Sequence, residues 1–129
     1  MQTTTISYPS HDNASTIRAL VWEPDDAARP DFSPRAVVQI VHGMSEHVER
    51  YAPFAEFLVG RGFVVCANDH VGHGKTAGEH DLGHMPLANG ADVLVEDVHA
   101  LREKVCERYP HARRVMFGHS MGSFVTRVY

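Results

Sequence analysis

The sequence predicts an α/β domain, with a mostly parallel sheet and helices on both of its faces. Three observations carry that class. Short, nearly continuous apolar runs at 36–41, 63–67 and 115–117 have the pattern of strands buried on both sides. Segments of helical apolar spacing lie between them, and strand–helix–strand alternation makes a parallel sheet covered by helices. Finally, glycine-bearing turns, His42-Gly43 and Gly118-His119-Ser120-Met121-Gly122, leave the carboxyl ends of the first and third runs.

Each element has its own signal. Residues 4–8 and 17–22 are rich in β-formers around the turn signal His11-Asp12-Asn13, so they predict an antiparallel hairpin. Residues 23–34 hold Pro24, Pro30, Pro34 and three Asp, and read as a loop. After the strand at 36–41, Tyr51, Phe54, Phe57 and Leu58 recur at helical spacing, with Ser45 as the expected N-cap and Pro53 in the first turn. The strand at 63–67 leads into a long irregular stretch over 68–89, and long loops of this kind tend to carry function. Leu94, Val98, Leu101 and Val105 predict a second helix, stopped by Pro110. A short buried strand at 115–117 and a helical start over 124–129 complete the chain.

Handedness orders these strands. A right-handed crossover carries the chain to one side of strand 36–41, and a second helix returning past it sets strand 115–117 on the other side. The gap between those two strands is a topological switch point, where open α/β sheets bind ligands outside the strand carboxyl ends.

Composition narrows the function. With 129 residues, 43% hydrophobic and 22% charged, the chain can bury the core of one domain and is neither disordered nor fibrous. A net charge of -4 leaves no basic footprint for nucleic acid. The longest apolar runs are too short to span a bilayer, and the first residues lack the pattern of a secretory signal. Cys66 and Cys106 read as reduced core residues, so the expected location is the cytoplasm.

Gly118-x-Ser120-x-Gly122 between strand and helix has the form of a nucleophile elbow. A serine hydroxyl that projects from a tight turn needs small neighbours two positions away. The helix that follows brings free N–H groups and its positive dipole end near a developing oxyanion. Ser120 is the expected nucleophile, and the N–H groups of Met44 and Met121 are the expected oxyanion donors. Gly43 would permit close backbone approach, and His42, His119, Gly118 and Gly122 support the two turns.

Val41-His42-Gly43-Met44-Ser45-Glu46-His47, Arg50-Tyr51, Asn68-Asp69-His70-Val71-Gly72-His73-Gly74 and the elbow together resemble the monoacylglycerol lipase and lysophospholipase group of α/β-hydrolases. The resemblance covers about residues 35 to 129, and its histidine-rich segments are more specific than the elbow. It implies an α/β-hydrolase fold, a Ser120 acyl-enzyme, a substrate that is an ester of glycerol with a fatty acyl chain, and no cofactor.

Other chemistry weighs less. His70-x-x-His73 beside Asp69 is half of a metallohydrolase pattern, but the residues upstream supply no His-x-His pair, so no metal is expected. The plainer reading is that Asp69, His70 and His73 tie down their loop by hydrogen bonds. Gly72-x-Gly74-Lys75-Thr76 lacks the earlier glycine of a phosphate loop, which argues against nucleotide binding. His11, His80, His84, His99 and His111 fall outside the motifs and read mostly as solvated.

A serine elbow needs a histidine base and an acid to orient it, and α/β-hydrolases place both after the serine. Residues 121–129 contain neither. The expected organisation of residues 1–129 is therefore the N-terminal half of one hydrolase domain, a hairpin over 4–22 followed by β-α-β-α-β-α and truncated after the elbow. Strand 115–117 would then be an open edge, and the alternative to an enzyme is a non-catalytic half-domain that associates with a complementary chain or a partner protein, while membrane contact would come through a lid outside this segment. His70 or His73 is the only local substitute base the pattern offers.

Overall fold

The computed structural model describes residues 1–78, 81–86 and 88–129. Strands β1 (Gln2–Pro9) and β2 (Thr16–Glu23) form the hairpin, paired from Gln2 opposite Glu23 to Pro9 opposite Thr16. Asp12 closes its turn by accepting the Ala14 N–H at 2.8 Å and the Ser15 N–H at 2.6 Å, an Asx-type device. Three further strands, β3 (Val37–Val41), β4 (Val64–Asn68) and β5 (Arg114–Gly118), complete one sheet in the order β1-β2-β4-β3-β5. β4 and β5 flank β3 in parallel, as right-handed crossovers require, and the hairpin joins antiparallel through β2 and β4. The sheet is thus mixed, with its parallel part at the site.

The pleat divides the core. Val38 and Ile40 of β3 face α1 (Ala52–Val59), in a cluster with Trp22, Val65, Ala55 and Val59. On the opposite face, Val37, Val64 and Cys66 meet Leu101 and Val105 of α2 (Gly90–Arg108). Val41 packs there on Leu94, Val98 and Val125, the last from α3 (Met121–Val128). Gln39 is a polar side chain in a fully buried strand, tolerated because its Nε2 donates to the Val98 carbonyl at 2.8 Å.

Several expectations are corrected. Ser45 does not cap the first helix; it sits at φ 60 in a turn, and a 3-10 turn over Val48–Tyr51 precedes α1. The first-turn N–H of Val48 is satisfied instead by Asp69, 21 residues on, at 2.8 Å. α3 starts at Met121, earlier than expected, directly after Ser120. β5 is not buried: Val115 and Phe117 are 47% and 41% exposed, because β3 is its only strand neighbour among the described residues. His11 is not simply solvated, since its Nδ1 and its N–H both meet the buried Asp97 carboxylate, at 3.0 and 2.8 Å. His99 meets the Tyr129 hydroxyl at 2.6 Å, and His84 and His111 are exposed. His80 lies outside the described residues. Both cysteines are free, Cys66 buried and Cys106 partly so. No helix among the described residues is long and apolar enough to cross a membrane.

Candidate active site

The carboxyl ends of β3 and β5 lie side by side, with Val41 opposite Gly118. Between β5 and α3 the chain turns on Ser120, which adopts φ 54 and ψ -120. A side chain with positive φ is strained, and such strain persists only where the surroundings impose it. Here the His119 N–H donates to the Val41 carbonyl at 3.1 Å, and the Gly122 N–H to the His119 carbonyl at 2.9 Å. The serine is left exposed at the tip.

Close approach accounts for the small residues. A Cβ on Gly122 would fall on the Val41 carbonyl oxygen, and one on Gly118 would lie 2.6 Å from the Gly122 carbonyl oxygen. A Cβ on Gly43 would lie 3.1 Å from the Ser120 Cβ and 3.0 Å from the His119 carbonyl oxygen. The two motifs recognised in sequence therefore pack directly on one another.

Among the described residues no protein group accepts from the N–H of Met44 or of Met121. Met121 opens α3, so its amide is one of the free donors at a helix start. Met44 is 62% exposed. The Gly43 N–H is spoken for, because it donates to Glu46 Oε2 at 2.5 Å. The same oxygen accepts from the Tyr51 hydroxyl at 2.9 Å and faces His119 Nδ1 at 3.1 Å. Burial opposes the charge on Glu46, but the bonds from His119, Gly43 and Tyr51 outweigh it and hold the carboxyl down at about 2. Glu46 thus ties the turn after β3 to the residue before Ser120. Residue-by-residue reading missed it; the only signal was its place in His42-Gly43-x-x-Glu46.

Beneath these turns lie three buried histidines. The His42 and His70 ring centroids are 4.1 Å apart, and those of His42 and His73 5.4 Å. Hydrogen-bond partners assign their protons. His42 Nε2 accepts from the His70 N–H at 3.1 Å, so its proton is on Nδ1, which donates to the Gly43 carbonyl at 2.7 Å. His70 Nε2 donates to the His42 carbonyl at 3.0 Å, and His73 Nδ1 to the Val71 carbonyl at 2.9 Å. Asp69 accepts the Val48 and Lys75 N–H groups at 2.8 and 3.0 Å. Asp69, His70 and His73 therefore anchor their loop. The idea that His70 or His73 could serve Ser120 as a base is overturned: both are buried, each has one ring nitrogen committed to a carbonyl, and the other is enclosed without a partner among the described residues. No group of three His, Cys, Asp or Glu among the described residues is placed to hold a metal.

Neutral buried histidines make stability depend on pH. Burial is the main cause that lowers both His42 and His70, His70 to about 3 from an ordinary 6.5. The unfolded chain then binds more protons than the fold below about pH 6.5, so stability is fully present above that value and is lost as pH falls toward 3. Between pH 7 and pH 5 the loss from His70 alone is about 2 kcal/mol. Urea unfolding at the two pH values measures it, and a change no larger than that of a His70→Leu variant would contradict it.

Known proteins resemble this chain in sequence and in fold. The family model described as serine aminopeptidase, S33 matches residues 33–129. The monoglyceride lipase of Mus musculus is 34% identical over 98 residues, which cover 76% of this chain and 31% of that protein. The monoacylglycerol lipase of Mycolicibacterium smegmatis is 35% identical over 104 residues, covering 81% of this chain and 35% of that protein. Among solved structures, a thermostable carboxyl esterase from Bacillus coagulans in complex with glycerol superposes with a TM-score of 0.87 at 40% identity, over 100% of this chain and 40% of that one. The chain belongs to this serine aminopeptidase family of α/β-hydrolases, whose relatives here are lipases and esterases. It spans about a third of the length of the curated relatives it matches.

Proposed function

We propose that this chain supplies the nucleophile and the oxyanion site of a serine hydrolase that cleaves monoacylglycerols. The observation that carries the reading is the strained, exposed Ser120 between β5 and α3, set against Gly43. Ser120 Oγ attacks the ester carbonyl, whose oxygen gathers charge toward the Met44 and Met121 N–H groups. The bond to the glycerol oxygen breaks, and water then releases the fatty acid from the Ser120 ester. Ser120 must lose its proton to a histidine that a carboxylate orients. No described residue fills either role, and residues 121–129 contain no His, Asp or Glu. The substrate class rests on likeness to the monoacylglycerol lipases.

The test is hydrolysis by the protein purified from its source cells. Release of glycerol from a monoacylglycerol, with triacylglycerol and peptide substrates cleaved at least ~100-fold more slowly, is the expected result. Preference for a peptide would overturn the substrate class. The isolated chain is expected to show a trace at most.

A second reading has its own observation. Among the described residues the outer edge of β5 pairs with no strand, and Phe124 and Val128 of α3 are exposed, which favours a complementary chain.

A further inference from the structure

We propose that Glu46 is a positioning residue for the oxyanion site: its carboxylate closes the turn that carries the Met44 N–H and fixes that turn to His119, the neighbour of Ser120. The inference rests on the functional reading and deepens it, because the two donors stand on different segments. Met44 lies in the turn after β3, and Met121 opens α3 after β5. One carboxylate oxygen reaches both segments. Glu46 Oε2 accepts the Gly43 N–H at 2.5 Å and the Tyr51 hydroxyl at 2.9 Å, and it lies 3.1 Å from His119 Nδ1. The carboxyl is ionised down to about pH 2, so it has no proton to give, and His119 Nδ1 is the donor.

No backbone bond does this work. The N–H groups of residues 44 to 47 meet no acceptor among the described residues, so the turn has no backbone closure of its own. Ser45 sits within it at φ 60, a position that lasts only where the surroundings impose it. The Glu46 side chain reaches back three residues to the Gly43 N–H and makes residues 43–46 a closed ring, with Met44 inside it. The His42 ring adds a bond to the Gly43 carbonyl, but that bond stays within the turn. The bond to His119 crosses to the other segment. Among the described residues it is the only hydrogen bond that joins residues 42–47 to residues 118–122. Glu46 is itself buried, and Tyr51 and Arg50, whose Nε lies 3.6 Å from Oε1, hold its carboxylate in place. An oxyanion must meet both N–H groups at once, at about 3 Å from each. A 1 Å misplacement of one donor against the other costs on the order of 100-fold in rate.

Two substitutions separate positioning from packing and from charge. Glu46→Leu keeps bulk and removes the acceptor; Glu46→Gln removes the charge, and its amide oxygen can take the place of Oε2. In the hydrolytically active protein, Glu46→Leu is expected to lower kcat ~10–100-fold with KM unchanged, because only transition-state stabilisation is lost. Binding of a long-chain alkyl trifluoromethyl ketone, which adds to Ser120 as a hemiketal oxyanion, is expected to weaken by the same ~10–100-fold factor. Glu46→Gln is expected to lie within ~3-fold of the parent in both. A folded Glu46→Leu protein with unchanged kcat, one whose KM alone rises, or a Glu46→Gln protein as slow as Glu46→Leu would overturn the proposal. Should Glu46→Leu fail to fold, NMR of the unsubstituted protein decides. The proposal requires a proton on His119 Nδ1 and a Gly43 N–H protected from exchange with solvent. A neutral His119 with its proton on Nε2, or a Gly43 N–H that exchanges as fast as that of Met44, would overturn it. The NMR result does not depend on turnover, so failure of the ester-hydrolase reading and failure of this one are separately visible.

Discussion

Replacing Ser120 by alanine is expected to lower ester hydrolysis by at least ~10⁴-fold while leaving the unfolding midpoint unchanged. The rate loss follows from the role: without Oγ there is no acyl-enzyme, and only the oxyanion site and binding remain. The unchanged stability follows from the structure. Ser120 is exposed, its Oγ makes no hydrogen bond among the described residues, and alanine inherits the same backbone at φ 54. Ser120→Gly separates the two effects. A side chain in that backbone region costs on the order of 1–3 kcal/mol, and glycine escapes most of it against an entropy cost of roughly 0.5–1 kcal/mol. Net stabilisation of about 1 kcal/mol, with hydrolysis lost, is the expected outcome in parallel urea titrations. A Ser120→Gly protein less stable than Ser120→Ala would show that the turn stores no strain.

Gly122→Ala is expected to cost at least ~3 kcal/mol or to abolish folding. The added Cβ would fall on the Val41 carbonyl oxygen and lie 2.7 Å from that of His42. Both obstacles are backbone atoms, one at the end of the buried β3 and one in the buried residue after it, and they cannot swing aside as a flexible side chain can. Relief requires α3 to move off β3, which would also displace the Met121 N–H. Gly90→Ala is the control. Among the described residues nothing lies within 4 Å of its Cβ position and it opens α2, so that change is expected to be neutral or stabilising by about 0.5 kcal/mol. Equal effects of the two substitutions, read by chemical denaturation, would contradict the close-approach account.

Much of this architecture was legible in the residues. Apolar runs marked β3, β4 and β5 within a residue or two, and crossover handedness placed β4 and β5 on either side of β3. The elbow and the His42-Gly43 turn were visible because tight turns leave glycine signatures. What stayed hidden was long-range polar pairing. The N–H of Val48 is satisfied by Asp69, not by Ser45, and no local pattern reports a partner 21 residues away. Glu46 was visible only as a letter within a motif, and the loop-anchoring hydrogen bonds expected of His70 came without partners, since the value of both residues lies in which backbone groups they meet. Asp97 of α2, which no sequence signal singled out, is buried under the hairpin turn, where Ser10 and His11 satisfy it. The exposure of β5 reflects what does not lie beside it, which its own apolar sequence cannot show.

Covalent trapping decides whether Ser120 is the nucleophile. The protein purified from its source cells would be treated with a long-chain alkyl fluorophosphonate, digested, and the added mass located by tandem mass spectrometry. A single adduct on Ser120, formed in step with loss of monoacylglycerol hydrolysis and absent from Ser120→Ala, is the predicted result. Hydrolysis blocked by an adduct on another residue, with Ser120 unmodified, would contradict it.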